Sequence, residues 1–316
     1  MIAFSIVIPV YRNEGNIPSL LERLASLRAE LPEPAEVVFV IDGSPDRSEE
    51  MLLASLASQS FPSQLITLSR NFGSFSAIRA GLEAARGEAY GVIAADLQEP
   101  PELLPAFARE LLADTCDVCV GTRALRHDTA SSRRASTLFW WLYRRLVQPQ
   151  MPAGGLDVFG CNRKVRDVLL SLTEANSSLV GELIWMGFRR KEIAYDRQER
   201  LVGKSAWTFR RKWKYMADSI FSFTDLPIRL LTAIGLAGAA LVLAAGIVIL
   251  AFWACGAVPV PGYAPIMLAI LFVGFTNLLG LGVVGNYVWR GYENSKHRPL
   301  HIVRDRRTFP REDTER

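Results

Sequence analysis

The sequence has no aspartate, glutamate, lysine or arginine across the sixty residues from Leu230 to Trp289. A stretch containing proline and glycine, residues 256–265, divides this segment, and each half of about 25 residues exceeds the roughly 20 that a helix needs to cross a bilayer core. A buried helical pair in a soluble protein is the alternative, but such helices rarely extend for about seven turns without a charge. The absence of charge therefore predicts a transmembrane hairpin over 227–290, with spans at about 228–254 and 265–289.

The loop that would connect the two spans also lacks charge, whereas basic residues flank the hairpin on both sides. These basic residues are Arg210, Arg211, Lys212, Lys214 and Arg229 before the hairpin and Arg290, Lys296, Arg298, Arg304, Arg306 and Arg307 after it. By the positive-inside rule we expect both termini, including a basic tail at 291–316, to face the cytoplasm. The net charge of +4 is modest, and its concentration beside the hairpin favours an anionic membrane surface over nucleic acid as a partner.

Other absences narrow the class of protein. The first ten residues lack a basic n-region and a cleavage site, so we expect a first strand there and no signal peptide. There are only 4 cysteines, and Cys116 and Cys119 form a C-x-x-C without a second pair, which favours small core residues in a reducing compartment over metal or redox use. No G-x-G-x-x-G follows the first strand and no G-x-x-x-x-G-K-[ST] occurs, so neither a dinucleotide-binding fold nor a P-loop is supported.

Strand and helix patterns alternate over about the first 120 residues, which predicts an α/β domain, placed at 1–206, with a mostly parallel, doubly wound sheet. Three predicted strands end in polar turns, at residues 9–14, 42–46 and 96–100. Because ligands bind outside the carboxyl ends of the strands in open α/β sheets, we expect these turns to converge on one ligand site.

One of these turns is unusual in its sequence. A predicted strand from Ala89 to Ala95 stops at Asp96, and Gln98 and Glu99 follow it before two prolines, which cannot join a ladder. Asp96 could simply cap the turn, or it could bind a ligand at the edge of the sheet.

A basic amphipathic helix is predicted between the α/β domain and the hairpin, at 207–226. Apolar residues recur at helical spacing opposite the basic cluster; they are Phe209, Trp213, Met216, Ile220 and Phe223. Its position before a bilayer span favours a helix that lies at the membrane surface, and a helix packed on the soluble core is the alternative.

Several motifs occur together in this order. They are S-I-V-I-P-V-Y-R-N-E at 5–14, D-G-S-x-D at 42–46, L-S-R-N-F-G at 68–73, D-L-Q-E-P-P-E at 96–102, Asp157, and R-x-x-R-x-x-G-K-S at 197–205. With the hairpin behind them, they resemble polyprenyl-phosphate glycosyltransferases of glycosyltransferase family 2, the group related to dolichyl-phosphate mannose synthase and to the bacterial undecaprenyl-phosphate sugar transferases. The resemblance covers nearly the whole chain.

The resemblance implies a GT-A fold and a set of site residues. It assigns a divalent cation, Mg²⁺ or Mn²⁺, to Asp96 and Gln98, and a catalytic role to Asp157. The residues it places around the nucleotide-sugar are Pro9, Tyr11, Glu14, Asp42 and Asp96. The candidates for binding the acceptor phosphate are Arg123, Arg133, Arg197, Arg200, Lys204 and Ser205.

The implied reaction is an inverting, metal-dependent transfer of one hexose to undecaprenyl phosphate at the cytoplasmic face of the bacterial inner membrane. The donor is expected to be a UDP-sugar, with GDP-mannose as the alternative, and the lipid-linked product would serve the modification of cell-envelope glycans. A processive polysaccharide synthase is a second hypothesis, although its Q-x-x-R-W motif is missing, and a catalytically silent membrane-anchored partner is a third. Because two spans bury little surface, we also expect a homo-oligomer.

Two departures from the family pattern stand out. Ile41 and Ala94 occupy positions where many relatives carry aspartate, so one carboxylate is missing from each of two acidic pairs. The role of Asp157 as a base is also less necessary than for a sugar hydroxyl, because a phosphate monoester, with a second pKa of roughly 6, is already largely anionic at neutral pH. We therefore expect Asp157 mainly to orient the acceptor or the donor.

Overall fold

The computed structural model describes residues 2–123, 130–152, 154–198, 209–255 and 263–309. The strands are, in chain order, β1 (Phe4–Val10), β2 (Ala35–Ile41), β3 (Ser63–Leu68), β4 (Ala89–Val92), β5 (Val118–Arg123), β6 (Phe159–Asn162), β7 (Arg190–Tyr195) and β8 (Val303–Phe309). The α-helices are α1 (Ile17–Leu27), α2 (Ser48–Ser55), α3 (Ser74–Ala84), α4 (Leu103–Leu112), α5 (Ala130–Leu146), α6 (Arg163–Ser171), α7 (Leu179–Trp185), α8 (Phe209–Phe223), α9 (Leu226–Ala254) and α10 (Tyr263–Ser295).

The described strands form one sheet in the order β7-β5-β6-β4-β1-β2-β3-β8. The four central strands β4, β1, β2 and β3 are parallel, whereas β6 and β8 run antiparallel to their neighbours. The sequence of β1, F-S-I-V-I-P-V, is almost continuously apolar because helices cover both faces of the sheet at this strand. The predicted mostly parallel, doubly wound α/β fold is confirmed.

Apolar side chains form two cores, one on each face of the sheet. Successive residues of β1 alternate between them, with Ile6 and Ile8 in one core and Val7 in the other. Helices α1, α2 and α4 cover the first face, and α3, α5, α6 and α7 cover the second. Cys116 and Cys119 are both buried free thiols, in agreement with the prediction that they are core residues.

Strand β4 is shorter than the sequence predicts. It ends at Val92, although Ile93 still donates a backbone hydrogen bond to the Val7 carbonyl at 3.2 Å. Residues Ala94 and Ala95 have already left the ladder, and Leu97 has a positive φ of 56°. The chain therefore begins to turn before Asp96, and apolar composition alone does not reveal where pairing stops.

Helix α8 packs on the soluble domain. The Tyr215 ring stacks on Tyr143 of α5, with centroids 5.8 Å apart. Met216, Ile220 and Phe223 pack against the core on the face of the sheet that α3 covers. Three of the apolar residues that predicted an interfacial helix thus contact protein, as the alternative of a helix packed on the core requires, and a position at the membrane surface stays a prediction. The helical period is the same for both environments, and only the tertiary contacts distinguish them.

Helices α9 and α10 contain two segments that are long and apolar enough to cross a membrane, Leu226–Val248 and Ala269–Ser295. The carboxyl-terminal end of α10 contacts the α/β domain. The Arg290 guanidinium contacts the Asp218 carboxylate of α8 at 2.6 Å and donates to the Asn176 carbonyl at 2.9 Å. This pair fixes the helical hairpin against α8 and the loop before α7.

The predicted basic tail contains a strand. Its residues from Val303 to Phe309 pair antiparallel with β3, and Arg304 contacts both carboxylate oxygens of Glu49 at 2.8 Å. Most side chains of β8 are exposed, which is expected for a charged strand at the edge of a sheet. Strand β8 was not predicted from the sequence because such a strand lacks an apolar alternation.

A hydrogen-bonded ion pair at the start of β5 predicts an acid-sensitive contribution to stability. Arg189 donates to Asp117 from its side chain at 3.0 Å and its backbone at 3.2 Å. These hydrogen bonds lower the pKa of Asp117 to about 2 from 3.8. A carboxylate with a lowered pKa stabilises the fold above its unfolded pKa and loses that contribution as the pH falls through its folded pKa.

We therefore expect Asp117→Asn to lower the free energy of unfolding by about 1–3 kcal/mol at neutral pH, and the difference from wild type to shrink as the pH falls from about 4 towards 2. Thermal unfolding in detergent across this pH range measures both effects. A difference that is the same at every pH would contradict the prediction.

Candidate active site

The predicted polar turns meet at one edge of the sheet. Strand β1 lies between β2 and β4 and is parallel to both, so the turns after Val10, Ile41 and Val92 emerge side by side. Backbone and side-chain hydrogen bonds tie the first two turns together. The backbone N–H of Glu14 donates to Asp46 at 3.1 Å, and Glu14 accepts from the Arg47 N–H at 3.0 Å.

Asp42 holds the turn that precedes α3. Its two carboxylate oxygens accept from the backbone N–H groups of Phe72 at 2.7 Å and Gly73 at 2.9 Å. Burial raises the pKa of this carboxyl, and the two backbone hydrogen bonds oppose that shift. Asp42 therefore lies in the site where the resemblance places it, but its carboxylate is already engaged by the L-S-R-N-F-G turn.

Gly43 is required where this turn meets the loop after β2. It has a φ of 57°, and an added Cβ would come within 2.4 Å of the Arg70 backbone. Pro9, near the end of β1, and Tyr11, on the loop that follows, are half-buried, and the Arg12 guanidinium lies 5.4 Å from the Tyr11 ring centroid. These two residues remain predicted contacts of the nucleotide.

The turn after β4 brings acidic groups together. Asp96 and Gln98 are half-buried, and the N–H of Gln98 donates to the Asp96 carboxylate at 3.3 Å. Glu99 is only 3% exposed. Burial, followed by the nearby carboxylates of Asp157 and Asp96, raises the pKa of Glu99 to about 7. A buried carboxylate thus lies near the half-buried Asp96 and the exposed Asp157.

Two further strands complete the site. Arg123, at the end of β5, forms an ion pair with Asp157, which lies just before β6. Tyr195 is the register partner of Arg123 on the parallel strand β7 and is 5% exposed. Burial raises the pKa of its phenol, and the Asp157 and Glu99 carboxylates add to the shift. Asp157 and Arg123 therefore lie together, as a shared site requires.

Sequence reasoning missed Glu99 and Tyr195 as members of the site. Glu99 lies inside the D-L-Q-E-P-P motif, so its position was a usable signal, but nothing in the sequence shows that it is buried. Tyr195 ends a strand whose other residues are mostly exposed, and its hydroxyl is buried.

Arg197 lies beside the turn after β4. One guanidinium nitrogen donates to the Gln98 amide oxygen at 2.8 Å, and Nε lies 3.7 Å from the Glu99 carboxylate. Three other predicted acceptor-phosphate residues, Arg200, Lys204 and Ser205, lie outside the described residues. Arg133 belongs to α5, and its side chain is likewise outside the description.

The residues present fit a cation that brings part of its own coordination shell. The described ranges contain no group of three or more His, Cys, Asp or Glu side chains arranged to hold a metal. Asp96 and Gln98 supply a carboxylate and an amide oxygen, the ligand types that Mg²⁺ and Mn²⁺ prefer, and such cations commonly complete their shell with phosphate and water. This donor set suits a cation that binds together with a diphosphate.

The fold and these loops define an open α/β protein with a charged ligand site at the carboxyl edge of its parallel strands. The family model described as "Glycosyl transferase family 2" matches residues 5–170. The chain belongs to this family of glycosyltransferases, and the predicted GT-A-like catalytic domain and the family resemblance are confirmed.

Curated relatives match along nearly the whole chain. An uncharacterized glycosyltransferase of Synechocystis is 36% identical over 306 residues, which cover 96% of this chain and 95% of the relative. The bactoprenol glucosyl transferase of Shigella phage SfV is 32% identical, over 95% of this chain and 98% of the relative. Among solved structures, glucosyl-3-phosphoglycerate synthase from Mycobacterium tuberculosis with Mn²⁺, UDP and phosphoglyceric acid is 17% identical, with a TM-score of 0.49 over 68% of this chain and 76% of that chain.

The engagement of Asp42 predicts a combined loss of stability and nucleotide binding. In Asp42→Asn, one of the two backbone N–H groups would face an amide that cannot accept, so we expect a loss of about 1–3 kcal/mol in the free energy of unfolding and weaker binding of the nucleotide. Thermal unfolding and titration calorimetry with UDP and GDP measure the two effects. The matched control is Glu50→Gln, an exposed carboxylate on α2; equal effects of both substitutions would contradict the prediction.

Proposed function

We propose that this protein transfers a single hexose, with inversion, from a nucleotide-diphosphate sugar to undecaprenyl phosphate at the cytoplasmic face of the bacterial inner membrane. The observation that carries the proposal is the attachment of two bilayer-length apolar helices to a family 2 catalytic domain whose site pairs Arg123 with Asp157. The relatives named bactoprenol glucosyl transferase, similar over almost their full length, support a polyprenyl phosphate as acceptor.

A UDP-sugar is the favoured donor, with GDP-mannose as the alternative. The glucosyl transfer named for several relatives supports a hexose. The end of β1 with Pro9 and the loops that carry Tyr11, Glu14 and Asp42 form the expected surface for the nucleotide, since they lie beside the turn that carries Asp96. A cation held by Asp96 and Gln98 would stabilise the charge that develops on the leaving diphosphate.

The Arg123–Asp157 pair bears on how the acceptor reacts. A phosphate monoester needs little help from a base, but its charge must approach a region that already contains three carboxylates. Arg123 supplies a bidentate-capable donor for phosphate, and Asp157 holds that guanidinium in place. In this mechanism Asp157 orients the acceptor site and withdraws no essential proton.

The proposed topology rests on the sheet itself. Strands β1 and β8 lie in one sheet, one before and one after the two apolar helices. Both ends of the described chain therefore belong on the same side of a membrane that α9 and α10 cross, and the flanking basic residues favour the cytoplasmic side. We propose the same orientation for the catalytic site.

A homo-oligomer is part of the proposal. Seven glycines of α9 and α10 have no atom of the described residues, apart from their own helix backbone, within 4 Å of an added Cβ; they are Gly235, Gly238, Gly246, Gly274, Gly282, Gly285 and Gly291. Small residues on exposed helical faces permit close packing between transmembrane helices, which supports contacts between copies.

One assay distinguishes this function from its alternatives. Purified protein is incubated with undecaprenyl phosphate, Mg²⁺ or Mn²⁺, and radiolabelled UDP-glucose or GDP-mannose. We expect a chloroform-soluble lipid that carries one sugar. A long polymer would identify a processive synthase, and the absence of turnover with a full panel of donors would favour a catalytically silent partner.

Asp157→Asn keeps the shape of the side chain but loses the charge that holds Arg123. We expect kcat for transfer to fall by about 10²-fold, the scale of loss from misplaced reacting groups, with little change in donor affinity. Steady-state kinetics with both substrates measures this effect, with Asp114→Asn, an exposed carboxylate near Asp117, as the matched control. Wild-type turnover in Asp157→Asn would show that neither orientation nor base catalysis depends on this charge.

Arg200→Ala tests the acceptor motif that continues beyond β7. Because the loss of a guanidinium removes a charge-assisted contact with phosphate, we expect the KM for the lipid acceptor to rise about tenfold or more, while the KM for the donor changes little. Kinetics at saturating donor and then at saturating lipid separates the two constants. Equal increases in both would argue against a role in acceptor binding.

A further inference from the structure

Arg197 contacts the turn after β4, which carries the predicted cation ligands Asp96 and Gln98. Its guanidinium donates to the Gln98 amide oxygen at 2.8 Å, and its Nε is 3.7 Å from the Glu99 carboxylate. The side chain is 31% exposed, whereas that of Glu99 is 4% exposed. The arginine thus approaches the turn from the solvent side and contacts two consecutive residues of the D-L-Q-E-P-P motif.

The backbone that carries Arg197 is attached to the same turn. The N–H of Gln198 donates to the Gln98 carbonyl at 2.9 Å, and the Gln198 side chain accepts from Arg23 of α1 at 3.1 Å. Arg23 also lies 3.5 Å from the Glu102 carboxylate. The chain leaving β7 is therefore fixed against the turn, which gives the guanidinium a defined position.

These contacts determine whether the oxygen or the nitrogen of the Gln98 amide faces Arg197. A glutamine amide can present either its oxygen or its nitrogen, but only the oxygen can coordinate a cation. A guanidinium has donors and no acceptor, so it selects the amide oxygen as its partner. That oxygen has two acceptor sites, so it can accept from Arg197 and still offer a lone pair to a cation.

Glu99 offsets the charge of this arrangement. A guanidinium next to a divalent cation would be repelled by it, but the buried Glu99 carboxylate lies beside Nε and compensates the positive charge. Gln98, Arg197 and Glu99 together form an outer-shell arrangement of the kind that orients metal ligands in proteins.

We propose that Arg197 is a positioning residue for the cation site, which orients the Gln98 amide oxygen towards the cation that accompanies the donor diphosphate. This assignment replaces the direct acceptor-phosphate role expected from the R-x-x-R-x-x-G-K-S motif, and it deepens the proposed function, on which it rests. It leaves Arg200, Lys204 and Ser205 as the acceptor part of that motif.

The test measures Mn²⁺ binding in the complete absence of lipid acceptor. The full-length protein in detergent is titrated with Mn²⁺ in the presence of UDP, and separately of GDP, and free Mn²⁺ is followed by electron paramagnetic resonance. We expect Arg197→Ala to weaken Mn²⁺ binding about 10-fold to 100-fold, the usual effect of removing an outer-shell partner. Arg197→Lys should restore part of the affinity, because an ammonium can donate to the same oxygen without reproducing the fork.

The chain provides a matched control at the other end of β7. Arg190 donates to the side-chain oxygen of Gln150 at 2.8 Å, so Arg190→Ala removes the same kind of contact away from the site and should leave Mn²⁺ binding unchanged. In a Gln98→Ala background, Arg197→Ala should have no additional effect on Mn²⁺ affinity, because the arginine acts through the amide. If Arg197→Ala does not fold, a double-mutant cycle that combines Arg197→Lys with Gln98→Ala replaces it.

Wild-type Mn²⁺ affinity in Arg197→Ala, accompanied by a higher KM for lipid, would overturn the inference and restore the acceptor-phosphate role. The absence of nucleotide-dependent Mn²⁺ binding in the wild type, or additive effects in the double variant, would also overturn it. Weakened Mn²⁺ binding in a protein that transfers no sugar to lipid would support the inference while refuting the proposed function.

Discussion

Burial of the Glu99 carboxylate beside those of Asp96 and Asp157 is the constraint on which the rest of the site depends. Glu99 is almost fully buried, and this burial, with smaller contributions from the two neighbouring carboxylates, raises its pKa to about 7. Two guanidiniums compensate the negative charge, Arg123 at Asp157 and Arg197 at Glu99. Arg123 ends β5 and Arg197 lies just after β7, so the sheet must bring the ends of these two strands to the turn after β4.

Charged and hydrogen-bonded contacts also join the catalytic domain to the apolar helices. Arg290 binds Asp218, and the strand after α10 returns to the sheet beside β3. Inside the domain, the buried Arg79–Glu182 pair links α3 to α7, against which α8 packs. The contacts of Arg290 and the pairing of β8 with β3 together hold the carboxyl-terminal end of α10 against the domain.

Much of this arrangement could be predicted from the sequence, and the exceptions share a physical cause. The apolar runs and the polar turns after them predicted the parallel sheet, its ligand edge and the position of Asp96 at that edge. This was possible because a strand that is buried on both faces is apolar along its length. Burial of a polar residue leaves no such record, so Glu99 and Tyr195 were missed. The packing of α8 was missed because an apolar helical period does not show whether the apolar face contacts protein or lipid. The pairing of β8 was missed because a strand at the edge of a sheet needs no apolar face.

Two motif residues turn out to act on other residues of the protein. The Asp42 carboxylate accepts hydrogen bonds from the backbone of the turn before α3, and Arg197 donates to Gln98. This matters more here because Ala94 supplies no carboxylate beside Asp96, and Ile41 is fully buried in the apolar core. A cation site with one charged ligand and one neutral amide depends on the orientation of the amide, because a rotated amide would present its N–H₂ group to the cation. In the proposed site, where position 94 carries no carboxylate, cation binding would depend more on the orientation of the Gln98 amide, which Arg197 would set.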